Sequence, residues 1–267
     1  MDVDCTKAPD QDPLVSTALD MIGKVARLPV IRVDREAFLR SAFSGSNYLE
    51  QIVERGPQSV YTVDSLRKKA DELILKATKS TALASFASGL PSNPVLMVAA
   101  GGADVVQYFG FAINMAQQLA YLFGEDDLLA GDLDEVSEEA KVRIVGYLGV
   151  MFGAAGASSL VVSTSKTLGT NLGKKIAAQA LTKTTWYPIF KKVAALVGQK
   201  VTKKTVEKTV TKAVPVVGGI VSGALTYATF KPMGSRLADV FTAGLKGVGI
   251  DEEMELIPEF ASSLVDA

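Results

Sequence analysis

The sequence predicts an all-α protein, a compact multi-helix bundle of roughly eight helices with two glycine-rich apolar helices among them. Three observations predict it. Apolar residues recur at spacings of three and four, which places them on one face of a helix. Residues that start and stop helices punctuate these stretches. Two long uncharged runs, 144–165 and 213–230, carry glycines four positions apart. Hydrophobic residues make up 48% of the 267 and charged residues 21%, enough to build a core rather than a disordered chain.

Residues 1–13 hold four Asp and two Pro and read as a loose tail. Residues 14–267 read as a single helical domain, with a sub-boundary near 125–139. The first helix runs from Leu14 through Ala18, Met21, Ile22 and Val25 to Leu28, and Pro29 stops it. Asp34 is a fit N-cap for the next. A short helix follows near Asn47 to Arg55, ended by Gly56-Pro57. Asp64 is expected to cap a longer helix running to Gly89. Leu90-Pro91-Ser92-Asn93-Pro94 is a break. Residues 95–124 then form a nearly uncharged stretch with Asp104 as their one charge.

Residues 125–139 hold eight acids and no basic residue. Asp126, Asp127, Asp132 and Asp134 lack the order of a calcium loop, so they are expected to be solvated loop acids. Ser137 is placed to cap the next helix, with Glu138 and Glu139 in its first turn. In the run 144–165, Gly149 and Gly153 form a G-x-x-x-G pair. In the run 213–230, Gly219 and Gly223 stand in the same relation. Such pairs let helix backbones approach closely. Both runs are near the ~18–20 residues needed to cross a bilayer. Two readings are open: buried packing inside a soluble bundle, and a membrane-inserting hairpin.

Between these runs the charge inverts. Residues 166–212 contain eleven Lys and a single acid, Glu207, a local charge of +10 in a chain whose total is −1. Lys200, Lys204, Lys208 and Lys212 lie four apart and make one stripe if helical. Residues 201–217 are also rich in Val and Thr, which keeps a strand reading open; the lysine spacing favours helix. A solvated face is the usual meaning of such a block. The functional reading is attachment to anionic lipid through Lys174, Lys175, Lys183, Trp186, Lys191, Lys192, Lys200, Lys203, Lys204 and Lys208. Clustered Lys near a membrane contributes about 1 kcal/mol each, and Trp favours the interface. The block has no Arg, which argues against nucleic acid as a partner.

Histidine is absent, and Cys5 is the only cysteine. That excludes Ser-His-Asp and Cys-His catalysis, His-containing zinc sites and an internal disulfide. The glycine-rich turns do not follow the spacing of nucleotide loops. No metal, cofactor or catalytic residue is therefore expected. Asp104 is expected to be buried in a polar network with Gln107 and Asn114, near Gln117 and Gln118. The acidic, polar start lacks the pattern of a signal peptide, so the expected location is cytoplasmic.

Val33-Asp34-Arg35-Glu36-Ala37-Phe38-Leu39 resembles the opening motif of EcsC family proteins. Lys76-Ala77-Thr78 leading into Ala87-Ser88-Gly89-Leu90-Pro91 looks like the family's central element. So does Leu119-Ala120-Tyr121-Leu122-Phe123-Gly124. Val214-Pro215-Val216-Val217-Gly218-Gly219 through Tyr227-Ala228-Thr229-Phe230-Lys231 is similar to its closing motif. The resemblance covers roughly residues 30–245 with the motifs in order. Where the family carries more glycine after Gly-Leu-Pro, this chain has Ser92-Asn93-Pro94.

The resemblance implies a non-enzymatic accessory protein, peripheral on the inner face of a membrane. Its setting would be transport or secretion, with a membrane-protein partner as well as lipid, and it supplies no catalytic residues. The alternative is a soluble bundle that binds an apolar or lipidic ligand between its glycine-rich helices. An enzyme working without His, from Asp104 or another acid, is a third reading.

Overall fold

The structure, a computed structural model, describes residues 26, 28, 29, 31–88, 103–129, 136–165, 167–168 and 215–247. For residues 81–88, 103–108, 138 and 215–227 the description is of the backbone only. The described residues form seven α-helices and one 3-10 turn, with no strand among them.

Helix α1 spans Arg35–Ala42, and the Asp34 carboxylate caps it by accepting the Ala37 N–H at 2.7 Å. Helix α2 spans Leu49–Arg55 and ends at Gly56, whose φ of 83° suits a residue without Cβ. Pro57 then opens the 3-10 turn Pro57–Ser59. Helix α3 spans Val63–Ser88. Its start differs from the expected one. Asp64 lies inside the first turn, and the Thr62 hydroxyl accepts the Ser65 N–H at 3.3 Å. Leu66, Ala70, Ile74 and Thr78, four apart, make the buried stripe of α3.

Helix α4 spans Ala103–Leu122 and α5 spans Glu138–Met151. The Ser137 hydroxyl caps α5 by accepting the Ala140 N–H at 3.1 Å. Both helices are buried on nearly every side over much of their length, the mark of central elements. Helix α6 spans Ala157–Thr164, and α7 spans Pro215–Lys246. Pro215 sits at the first position of α7, where its missing N–H costs nothing.

Helices α3 and α7 are a long antiparallel pair. Asp64 meets Lys246, Arg67 meets Asp239 and Ile74 abuts Gly234, so the numbers fall along one helix as they rise along the other. Helices α4 and α5 pack against α7, α6 flanks α5, and α1 lies on α4. One apolar core joins residues from Ala26 to Phe241.

Two expectations about the glycine-rich runs are corrected. Residues 144–165 are not one helix. The chain breaks after Met151 and restarts at Ala157, with Gly153 at φ 74° and Gly156 at φ 84°. Gly153 is a turn residue, so Gly149 and Gly153 do not form a helix-packing pair. Gly146 does that work instead: a Cβ on it would lie 3.3 Å from Val161 of α6. The second run is not a separate apolar helix either. Residues 215–230 continue through Lys231, Arg236 and Asp239 as part of α7. Among the described residues no helix is long and apolar enough to cross a membrane.

Candidate functional site

The most concentrated polar chemistry among the described residues lies where α4 ends. Gly124, at φ 96°, turns the chain back under α4, and the Glu125 N–H reaches the Ala120 carbonyl at 2.9 Å. This turn carries the Glu125 side chain inward. Arg143 arrives from α5 and Ser165 from the end of α6. One Glu125 oxygen, Oε2, pairs with Arg143 Nη2, and the other, Oε1, accepts from the Ser165 hydroxyl. Arg143 Nη1 also meets Asp126 Oδ1 at 2.7 Å. Glu125 is 0% exposed and Arg143 2%. The Glu125 backbone carbonyl accepts from Arg35 Nε at 2.9 Å, and Arg35 Nη1 reaches the Val53 carbonyl at 2.8 Å. The cluster therefore ties α1, α2, α4, α5 and α6 together.

For Asp126 and Asp127 this corrects the expectation of solvated loop acids; Asp132 and Asp134 lie outside the described residues. Glu125 is buried, and Asp126 and Asp127 are half-buried. Asp127 accepts from the Tyr121 hydroxyl at 3.0 Å and from the Leu129 N–H at 3.1 Å.

Burial opposes the charge on Arg143, but Tyr147, Glu125 and Asp126 outweigh it and hold the guanidinium charged. Burial is also the main cause that raises the Tyr147 hydroxyl well above its ordinary pKa. Arg143 partly offsets that rise, while Glu125 adds to it. Tyr147 sits beside the guanidinium, yet its hydroxyl makes no hydrogen bond of proper geometry, and neither does Arg143 Nε. Burial and the nearby Asp127 raise Tyr121 in the same direction.

Chemically the cluster is closed. Each Glu125 oxygen is engaged, and the Ser165 hydroxyl, besides donating to Glu125, accepts the Thr167 and Leu168 N–H groups at 3.1 and 2.9 Å. A nucleophile or general base needs a free proton or lone pair facing a substrate. Glu125 is 0% exposed and Ser165 is buried, so neither faces solvent from which a substrate could arrive, and the arrangement is a structural joint.

The sequence-predicted residues fall into three groups. Asn114 and Gln117 form a clasp on the 31–33 segment. Asn114 Nδ2 and Gln117 Nε2 both donate to the Ile31 carbonyl at 3.0 Å, and Gln117 Oε1 accepts the Val33 N–H at 3.1 Å. Gln118 Nε2 donates to Asn114 Oδ1 at 2.6 Å. Asn114 is half-buried and Gln117 buried. Asp104 and Gln107 lie on α4, but their side chains are outside the description. Lys174, Lys175, Lys183, Trp186, Lys191, Lys192, Lys200, Lys203, Lys204 and Lys208 all lie outside the described residues. Among the described residues no group of three His, Cys, Asp or Glu is placed to hold a metal ion.

Sequence reasoning missed a cleft of about 270 Å³ beside the start of α3. Phe43 and Tyr61 stack at its wall with ring centroids 5.2 Å apart, and Lys69 Nζ lies 4.8 Å from the centre of the Phe43 ring. Lys68 and Glu72 add one charge of each sign to the lining. No spacing in the sequence signals this pairing, because Phe43 and Lys69 are 26 positions apart. No family model matches the chain, and no curated protein or solved structure matches it either.

Proposed function

We propose that this chain is a non-enzymatic accessory protein of the EcsC type that works against an anionic membrane surface, in a setting of transport or secretion. The observation that carries the reading is charge segregation. Residues 166–212 hold a charge of +10 while the whole chain stands at −1. Attraction to anionic head groups must come from that segment, at about 1 kcal/mol per lysine near the surface. Trp186 and Tyr187 within it suit the interface. The described helices would serve as the platform, peripheral on the inner face of the membrane.

Two structural features support this reading over its competitors. The buried acid–base cluster at Glu125 is closed, which favours a scaffold over an enzyme. Gly146 and Gly234 are each filled by packing. A Cβ on Gly234 would lie 2.8 Å from Ile74 and 3.1 Å from Met115 Sδ. That crossing therefore has no room for an apolar ligand.

The test is vesicle co-sedimentation of the full chain across a salt series. Head-group attraction is screened within about 8–10 Å at physiological ionic strength, so binding to phosphatidylserine vesicles should fall as salt rises. Cell fractionation should place the protein in the wash released by carbonate. Protein that stays in the carbonate-washed pellet would contradict peripheral attachment.

A further inference from the structure

The joint at Glu125 has one member whose position in the chain matters. Ser165 is the last described residue before the basic segment begins at Lys166. The segment's first residues are held by three successive contacts. The Ser165 hydroxyl donates to the buried Glu125 carboxylate. The Thr167 hydroxyl donates to the Gly124 carbonyl at 2.9 Å. Leu168 lies against α7 at Gly244, where an added Cβ would stand 2.8 Å from its Cδ1. The Ser165 oxygen also accepts the N–H groups of Thr167 and Leu168, which fixes the turn between the contacts.

We propose that Ser165, Thr167 and Leu168 form a latch that roots the basic segment on the α4 turn and on α7. The physical reason is coupling. A buried ion pair is expensive to open, and here one carboxylate serves both Arg143 and the root of the segment. The latch therefore shares the stability of the bundle centre rather than that of a surface loop. Its purpose rests on the proposed membrane function, because a rooted segment presents its lysines from a fixed starting point. Its existence does not depend on that function.

Limited trypsin digestion of the full chain, without vesicles, tests the latch. Three variants loosen it from different sides: Ser165→Ala, Thr167→Val and Gly244→Ala. Thr167→Val and Gly244→Ala leave the Glu125 carboxylate untouched. Each should raise the rate of cleavage after Lys166 by about fivefold, the equivalent of one lost hydrogen bond or a displaced contact. In Thr167→Val and Gly244→Ala, which spare the Glu125 carboxylate, cleavage after Lys76 in the middle of α3 should stay at the wild-type rate. Unchanged cleavage after Lys166 in all three variants would overturn the latch. So would a parallel rise at Lys76 in Thr167→Val and Gly244→Ala, because in those two variants it reports loosening of the whole bundle. Vesicle binding by the same proteins is read separately: a latch present without any vesicle binding would remove the proposed function and leave the latch standing.

Discussion

The Glu125 carboxylate and the Arg143 guanidinium pair with each other inside the bundle, the first wholly buried and the second 2% exposed. Breaking one side of such a pair strands a charge. Arg143→Met should cost about 3–5 kcal/mol in unfolding free energy. The double variant Glu125→Leu with Arg143→Met should recover much of that loss, because the stranded charge is gone. Urea unfolding followed by circular dichroism measures both. A cost below about 1 kcal/mol for Arg143→Met would mean that the pair is solvated in practice.

At Gly234, α7 packs closely against Ile74 of α3 and Met115 of α4. Gly234→Ala places a Cβ against Ile74 and Met115, and should destabilise by about 1–3 kcal/mol through overpacking. Gly45→Ala is the control, since nothing lies within 4 Å of a Cβ there. Thermal melts of the two proteins should differ clearly. Equal melting temperatures would show that the helices can part at Gly234 without penalty.

Gln117 holds the 31–33 segment to α4. Gln117→Leu keeps the volume but leaves the Val33 N–H without its acceptor. The expected cost is about 1–3 kcal/mol, the range for an unsatisfied buried group. Hydrogen exchange should show the Val33 amide losing protection more than the amides of α3. Unaltered protection at Val33 would show that the clasp is dispensable.

Tyr121 and Tyr147 give the fold an alkaline limit. Both hydroxyls are raised in the folded state, chiefly by burial, so the folded state favours the neutral phenol. A raised pKa contributes stability that is fully present below the unfolded value, about 10 for tyrosine, and is lost as pH climbs above it. Stability should therefore fall above about pH 10. Tyr147→Phe should make the fall shallower. It should leave neutral-pH stability nearly unchanged, because the Tyr147 hydroxyl makes no hydrogen bond of good geometry that the change would remove. Following the tyrosinate absorbance beside the helical signal checks this. Ionisation of Tyr147 before any loss of helix would contradict it.

Local punctuation was legible in the sequence. Asp34, Ser137 and Gly56-Pro57 act within four residues of their own positions, and each acts as its residue type demands. Thr62 displaced Asp64 as the cap of α3 because two residues, two positions apart, both suit that role, and the choice depends on where the preceding turn ends. The 144–165 run misled because lack of charge signals burial, not continuity; the break at Gly153 and Gly156 is a matter of backbone angle. The Glu125 joint was hidden for another reason. Arg143 lies 18 positions away and Ser165 40, and no local period links them. Arg143, the last charge before a 22-residue uncharged run, was the one available hint. Asn114 was found because an amide in an apolar helix must satisfy its donors, and it does so on the Ile31 carbonyl.

Charge reversal in the basic segment tests the central claim most directly. The fourfold variant Lys200→Glu, Lys203→Glu, Lys204→Glu and Lys208→Glu lowers the charge of residues 166–212 without touching any described helix. The account predicts that the wild-type chain co-sediments with phosphatidylserine vesicles at low salt and clearly less with phosphatidylcholine vesicles. It predicts that the variant loses most of this binding while its helical circular dichroism stays the same. Equal binding to both vesicle types, no binding to either, or a variant that binds as well as the wild type would contradict the account.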